Sequence, residues 1–374
     1  MIARGLVEAF AFSTPVLCAV GCMLMMLMDA HNCKRNRQEK RLRLYLAFIY
    51  LVTALGWLGM VLYVVSPDGY ISYHTVFLLT LMLDQVMFYR LVAILTDTDG
   101  SRPFNRLHVV IPFVITAVSL GCDLLVPTEK QMNVVYGGEG ATSDVWLGVV
   151  YASTSVVFIV YNTLYPLLSL RNIRRYRRFV VDYSSEAQRT SLDWLFSMQL
   201  LILVCVPVPF AGLLLGIDTF ASPWFVWLGA LPYFVYYIIL CYNMLDGNYL
   251  IIQPDAAEEA TQEKEATIDR KQFERYLRDK KPHLDPKLRI TDLAVGLNTN
   301  RSYLSAFINR EYGMNFSRLI NRYRLAELDR LRLSPRYSTK SNMELVLMAG
   351  FGNYRNYLRV KKEEDRLALL KVFE

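Results

Sequence analysis

A chain of 374 residues has room for two or three domains, but 53% of it is hydrophobic and its mean hydropathy is positive, which excludes a single water-soluble globule. The net charge of +7 is unevenly placed: 17 Lys/Arg stand against 16 Asp/Glu before Pro254 and 24 against 18 after it, so a near-neutral apolar body precedes a basic tail. Six cysteines and four histidines show neither a CxxC pair nor ligand spacing to an acid, which argues against zinc or any other metal, and no cofactor or enzymatic role is expected.

Seven apolar stretches follow one another at 6–28, 44–65, 74–95, 108–126, 145–168, 194–216 and 223–245. Each is about twenty residues, and at about 1.5 Å per residue each helix spans roughly 30 Å, the hydrocarbon thickness of a bilayer. The expected fold is therefore all-α, with a seven-helix transmembrane bundle over 1–245. The first stretch lacks a cationic leader and a small-residue cleavage site and reads as a retained span. Lys34, Arg35, Arg37, Lys40, Arg41 and Arg43 follow span one, Arg102 and Arg106 follow span three, and Arg171, Arg174, Arg175, Arg177, Arg178 and Arg189 follow span five. The opposite side carries only Arg4 and Lys130, so the positive-inside rule puts the N-terminus outside and the C-terminus in the cytoplasm.

Within the spans, Asp84 is the candidate sensing residue, because a carboxylate at mid-membrane is costly unless it is used or hydrogen-bonded. Arg90 is expected to snorkel, and Asn162 and Gln199 to hydrogen-bond between helices. Pro207 and Pro209 should bend span six and Pro232 span seven. The segment 127–144, with Gly137, Gly138 and Gly140, reads as a flexible outer connection and not a phosphate loop. Residues 246–268 are acidic and alanine-rich, a linker without an apolar face.

Beyond the linker, 269–374 changes character. Phe273, Tyr276 and Leu277 form the stripe of a supporting helix. Thr291 is placed to cap a short helix with Leu293, Ala294 and Leu297 on one face, and Asn298 is placed to take a left-handed turn. A second helix over 301–311 should bury Leu304, Phe307 and Ile308 and close at Gly313, leaving Ser302, Ser305, Ala306 and Asn309 on the opposite face. Two helices and a three-residue turn make a helix-turn-helix. Arg301 and that face are the expected base readers, and Arg310, Arg318, Arg322 and Arg324 the expected phosphate contacts.

The run from Lys281 to Ala326, with Leu284-Asp285-Pro286 and then NRSYLSAFIN from Asn300 to Asn309, resembles an AraC-type DNA-binding domain in its Bacteroidetes style. The resemblance implies a long connecting helix from Phe316 to about Leu333 and a second helix-turn-helix over 342–362, with Asn353, Arg355, Asn356 and Arg359 as its candidate contacts. Here the chain departs from the pattern: Val346 replaces a small crossing residue and Lys361 an apolar anchor. A weakly packed second unit is therefore expected. The functional expectation is a transcription regulator in a bacterial inner membrane, a multi-pass protein with promoter DNA, the lipid bilayer, a second copy of itself and an unidentified small-molecule or protein signal as partners. The rival expectation is a seven-helix receptor or transporter whose C-terminal domain binds a protein in place of DNA.

Overall fold

The computed structural model describes residues 2–32, 37–98, 104–137, 145–186, 190–205, 223–250 and 268–372, and among these every regular element is a helix. Two compact units emerge. The first comprises Met1–Thr96, Arg102–Ile173 and Asp193–Asn248, and the second comprises Asp97–Ser101, Arg174–Leu192 and Tyr249–Glu374.

The first unit begins with α1 (Ile2–Asn32), α2 (Arg37–Val65) and α3 (Pro67–Leu95). A single residue joins α2 to α3: the Ser66 hydroxyl accepts the Gly69 N–H at 3.2 Å while Pro67 occupies the first helical position, where its missing donor costs nothing. The two helices then approach closely at Gly59, where an added Cβ would lie 2.4 Å from the Phe77 ring. After α4 (Leu107–Leu125) the chain forms α5 (Thr128–Tyr136), a helix where a flexible connection was expected. Gln131 explains the difference, since its buried amide donates to the carbonyls of Asp123 (2.7 Å) and Val126 (2.8 Å) and ties α5 to the end of α4.

The unit continues with α6 (Val145–Tyr183), α7 (Asp193–Cys205) and α8 (Pro223–Leu245). Among the described residues, six helices are long and apolar enough to cross a membrane: α1, α2, α3, α4, α6 and α8. Their outer faces expose Leu17, Phe48, Val118 and Leu124, a distribution that water would penalise and lipid would not. The sixth expected stretch, 194–216, is described only as far as Cys205, and Pro207 and Pro209 lie outside the described residues. Most of the expected linker lies outside them as well.

In the second unit, α9 (Arg270–Lys280) buries Phe273 and Leu277. It is followed by α10 (Ile290–Gly296), α11 (Arg301–Tyr312), α12 (Phe316–Leu333), α13 (Asn342–Met348) and α14 (Tyr354–Val372). One apolar core gathers Phe273, Leu293, Leu304, Phe307 and Ile320 around α10 and α11, and a second gathers Leu328, Leu345, Val346, Phe351 and Val360 around α13 and α14. Each fully buried side chain of this size stabilises the unit by about 1.5–3 kcal/mol, so neither cluster is marginal.

The segment after span five differs from expectation. α6 has 39 residues, roughly 58 Å at 1.5 Å per residue and nearly twice what a bilayer needs. Its residues from Arg174 onward, expected as a basic loop, belong to the second unit. Tyr183 lies in the core of that unit with Phe179 packed against it. Ser184 forms an antiparallel bridge with Arg289, and the Ser185 N–H donates to Leu288 O at 3.1 Å.

Candidate nucleic-acid interface

The first helix-turn-helix starts at Arg289, whose N–H donates to the Asp292 carboxylate at 2.7 Å. Thr291, expected as the cap, instead sits inside α10 and is buried, because the helix begins at Ile290. The chain leaves α10 through Asn298 at φ 55°, the left-handed turn that its spacing predicts. The Thr299 N–H returns to Ala294 O at 2.9 Å, and the Asn300 side chain accepts the Tyr303 N–H at 2.7 Å to start α11. Leu304, Phe307 and Ile308 are buried and Gly313 closes the helix at φ 64°. Ser302, Ala306 and Asn309 are exposed, while Arg301 and Ser305 are half-buried.

The same pattern recurs with a turn one residue longer. Ser341 and Glu344 cap α13 reciprocally: the Ser341 N–H donates to the carboxylate at 2.9 Å and the Glu344 N–H to the hydroxyl at 3.2 Å. Gly350 takes the left-handed position at φ 93°, Phe351 N–H donates to Val346 O at 3.3 Å, and the Asn353 side chain accepts the Asn356 N–H at 2.7 Å. The second unit is well packed, against expectation. Val346 is fully buried, and Val360 fills the core while Lys361 turns outward.

Matching Asn300 to Asn353 aligns the outer face of α11 with Arg355, Leu358, Arg359 and Lys362 on α14, all of them exposed. Leu358 and Lys362 were missed in the sequence, because the longer turn shifts the register by one residue. Asn353 and Asn356 leave the candidate face: the first is the cap, and the second is buried with its amide 3.5 Å from Glu186 Oε1.

The expected phosphate contacts divide. Arg310 and Arg322 are exposed, Arg310 lying 3.0 Å from Glu311. Arg318 holds Glu364 of α14 through two bonds, 2.6 and 3.2 Å. Arg324 is fully buried and cannot touch DNA. Its guanidinium donates to His283 O (2.9 Å), Asp285 O (2.7 Å), Asn321 Oδ1 (3.1 Å) and the Ser185 hydroxyl (2.9 Å), binding the end of α6 to the loop before α10. Burial lowers its pKa to about 10, partly offset by Glu186 and Asp285, so it remains a cation at neutral pH.

In the membrane-capable unit, half-buried Asp84 accepts a hydrogen bond from Thr53 of α2. Arg90 is exposed and lies over the rings of Tyr45 and Phe104, at 5.7 and 5.4 Å. Asn162 donates to Phe158 O of its own helix at 2.9 Å instead of bridging helices. A second polar cluster had no sequence signal. His74 Nδ1 lies 3.4 Å from Asp123 Oδ2, a pair 49 residues apart, and Thr75 (3.0 Å) and Tyr151 (3.3 Å) donate to the same carboxylate.

Fold and site together define an all-helical chain with membrane-capable helices and a C-terminal pair of helix-turn-helix units. No family model matches the chain, and no curated protein or solved structure matches it either.

Proposed function

We propose that the chain is a membrane-tethered, sequence-specific DNA-binding transcription regulator of AraC type, carried by a seven-helix bundle in a bacterial inner membrane with its C-terminal unit in the cytoplasm. The observation that carries this reading is the duplicated helix-turn-helix. Two units with matching caps and matching left-handed turns each present the outer face of a second helix, polar on α11 and cationic on α14. Such a pair suits successive major grooves, where Arg355 and Arg359 offer the bidentate guanine contacts that α11 lacks. Arg310 and Arg322 suit phosphates. A signal reaching the bundle would bias how these faces are presented, and a second copy would raise local concentration at paired sites.

The topology supports the same reading. The packing of Ser184 and Ser185 with Leu288, Arg289 and Arg324 supports an arrangement in which the end of α6 and the residues after α8 share one side of the membrane. With α8 as one crossing between them, the proposed count of seven needs one more crossing in that stretch.

The test is enrichment of duplexes from a random pool by the full chain in lipid nanodiscs, followed by titration at several salt concentrations. A sequence-preferring complex whose affinity falls steeply with salt is expected. Absence of any preferred duplex would favour a receptor whose tail binds protein.

A further inference from the structure

The face of α11 assigned to base reading is flanked from within the chain, although Ser302, Ala306 and Asn309 keep exposed surface. The Arg301 guanidinium lies 4.8 Å over the Phe179 ring, and Asn309 stands near enough to the Asp182 carboxylate to offset part of the rise that burial gives its pKa. Ser302 and Ser305 line a cleft of about 210 Å³ whose other wall is Phe179, Asp182 and Tyr183. Four of the five expected base-reading residues thus meet the last two turns of α6. A helix with its side chains is about 10–12 Å across, and the major groove of B-DNA is about 12 Å wide, so the groove admits one helix and not two side by side. Asp182 would also bring a carboxylate towards the phosphates.

From this we infer that the cytoplasmic end of α6 is an intramolecular lock: it competes with the DNA major groove for the outer face of α11, and DNA binding by the first helix-turn-helix requires α6 to swing aside. The inference rests on the DNA-binding reading of the site and adds its regulation. The hydrogen-bonded turn at Ser184–Ser185, held by Arg324, is the pivot that stays docked while the preceding turns leave. Phe179 and Asp182 stand on the same helix, α6, that begins at Val145 in the membrane-capable unit.

The experiment uses the full chain in nanodiscs and a fluorescent 40-base-pair duplex enriched from a random pool against the Phe179→Ala/Asp182→Ala chain. That variant is expected to bind at least about tenfold more tightly than the parent, since a locked state populated above about nine parts in ten reduces apparent affinity by that factor. In a second arm, Asp182→Cys and Asn309→Cys are joined by a short bis-maleimide. The joined chain is expected to lose affinity at least about tenfold relative to the same chain left unjoined, which also decides the matter if removing Phe179 unfolds the unit. Equal or weaker binding by the Ala variant with retained hydrogen-exchange protection in α9 and α12, or unaltered binding after joining, overturns the lock and leaves DNA binding standing. If neither chain enriches a duplex, the DNA-binding reading itself fails, and the lock with it.

Discussion

Arg324 shows how a residue type misleads when its surroundings are unknown. In the helical register of α12 it sits among cations that reach solvent, yet it faces inward and its donors satisfy carbonyls from the loop before α10 and a hydroxyl from the end of α6. Arg324→Ala would strand those buried acceptors, an expected loss of roughly 3 kcal/mol, and Arg324→Lys recovers only part of it because an ammonium cannot reproduce the planar fork. Hydrogen exchange of the full chain checks this: protection should fall across 283–293 and 317–328 together. Gly350 is constrained differently. Its φ is 93° and an added Cβ would stand 2.3 Å from His283 O, a backbone atom that cannot yield, so Gly350→Ala should unfold the second core at a cost of about 2 kcal/mol or more. Glu344 supplies the pH dependence. Hydrogen bonds from Lys340 and Ser341 lower its pKa to about 2, so the unfolded state binds its proton first as pH falls. The stability it adds is complete above about pH 4.5 and is lost as the pH approaches 2. The difference in exchange protection of α13 between the parent and Glu344→Gln should accordingly close on acidification.

At the scale of elements, legibility followed periodicity. α10, α11 and α12 were readable because Leu293, Leu304, Phe307 and Phe316 recur at helical spacing and Asn298 and Gly313 punctuate them. Six of the apolar stretches were readable because about twenty residues with at most two charges have few alternatives in water. The C-terminal end of α6 was not readable, since its run of arginines carries the same composition whether it forms a solvated loop or a helix. Only the long-range contacts of Phe179, Asp182 and Ser185 distinguish the two. The second helix-turn-helix was half legible: its turn glycine stood out, but one extra residue before Asn353 moved the outer face, and with it the candidate contacts, onto Arg355, Leu358, Arg359 and Lys362. Arg355→Ala is expected to weaken binding to the preferred duplex by about 1–3 kcal/mol and to relax preference at one base position. Arg322→Ala should instead weaken all duplexes alike and reduce the salt slope by about one. Titrations of both variants at three or more salt concentrations tell these outcomes apart.

For the whole molecule, the decisive constraint is on which side of the lipid each segment stands. On the proposed topology, Lys34 to Arg43 and Arg171 to Arg178 mark the positive-inside side after spans one and five, and the packing of Ser185 against Leu288 and Arg324 is what would bring the C-terminal unit to that same side. The proposed topology therefore has the chain cross the membrane twice between Leu192 and Tyr249. The described part of α7 has 13 residues, about 20 Å of helix, shorter than a bilayer core. Single cysteines placed in a chain stripped of its native ones test this directly with a membrane-impermeant maleimide applied to intact cells. Positions in 138–144 and 217–221 should label, and positions 176, 287 and 374 should label only after the membrane is opened. Labelling of position 374 from outside would place the helix-turn-helix pair away from any promoter. Failure of 217–221 to label would remove the seventh crossing, and the end of α6 could then not pack on the unit that follows α8.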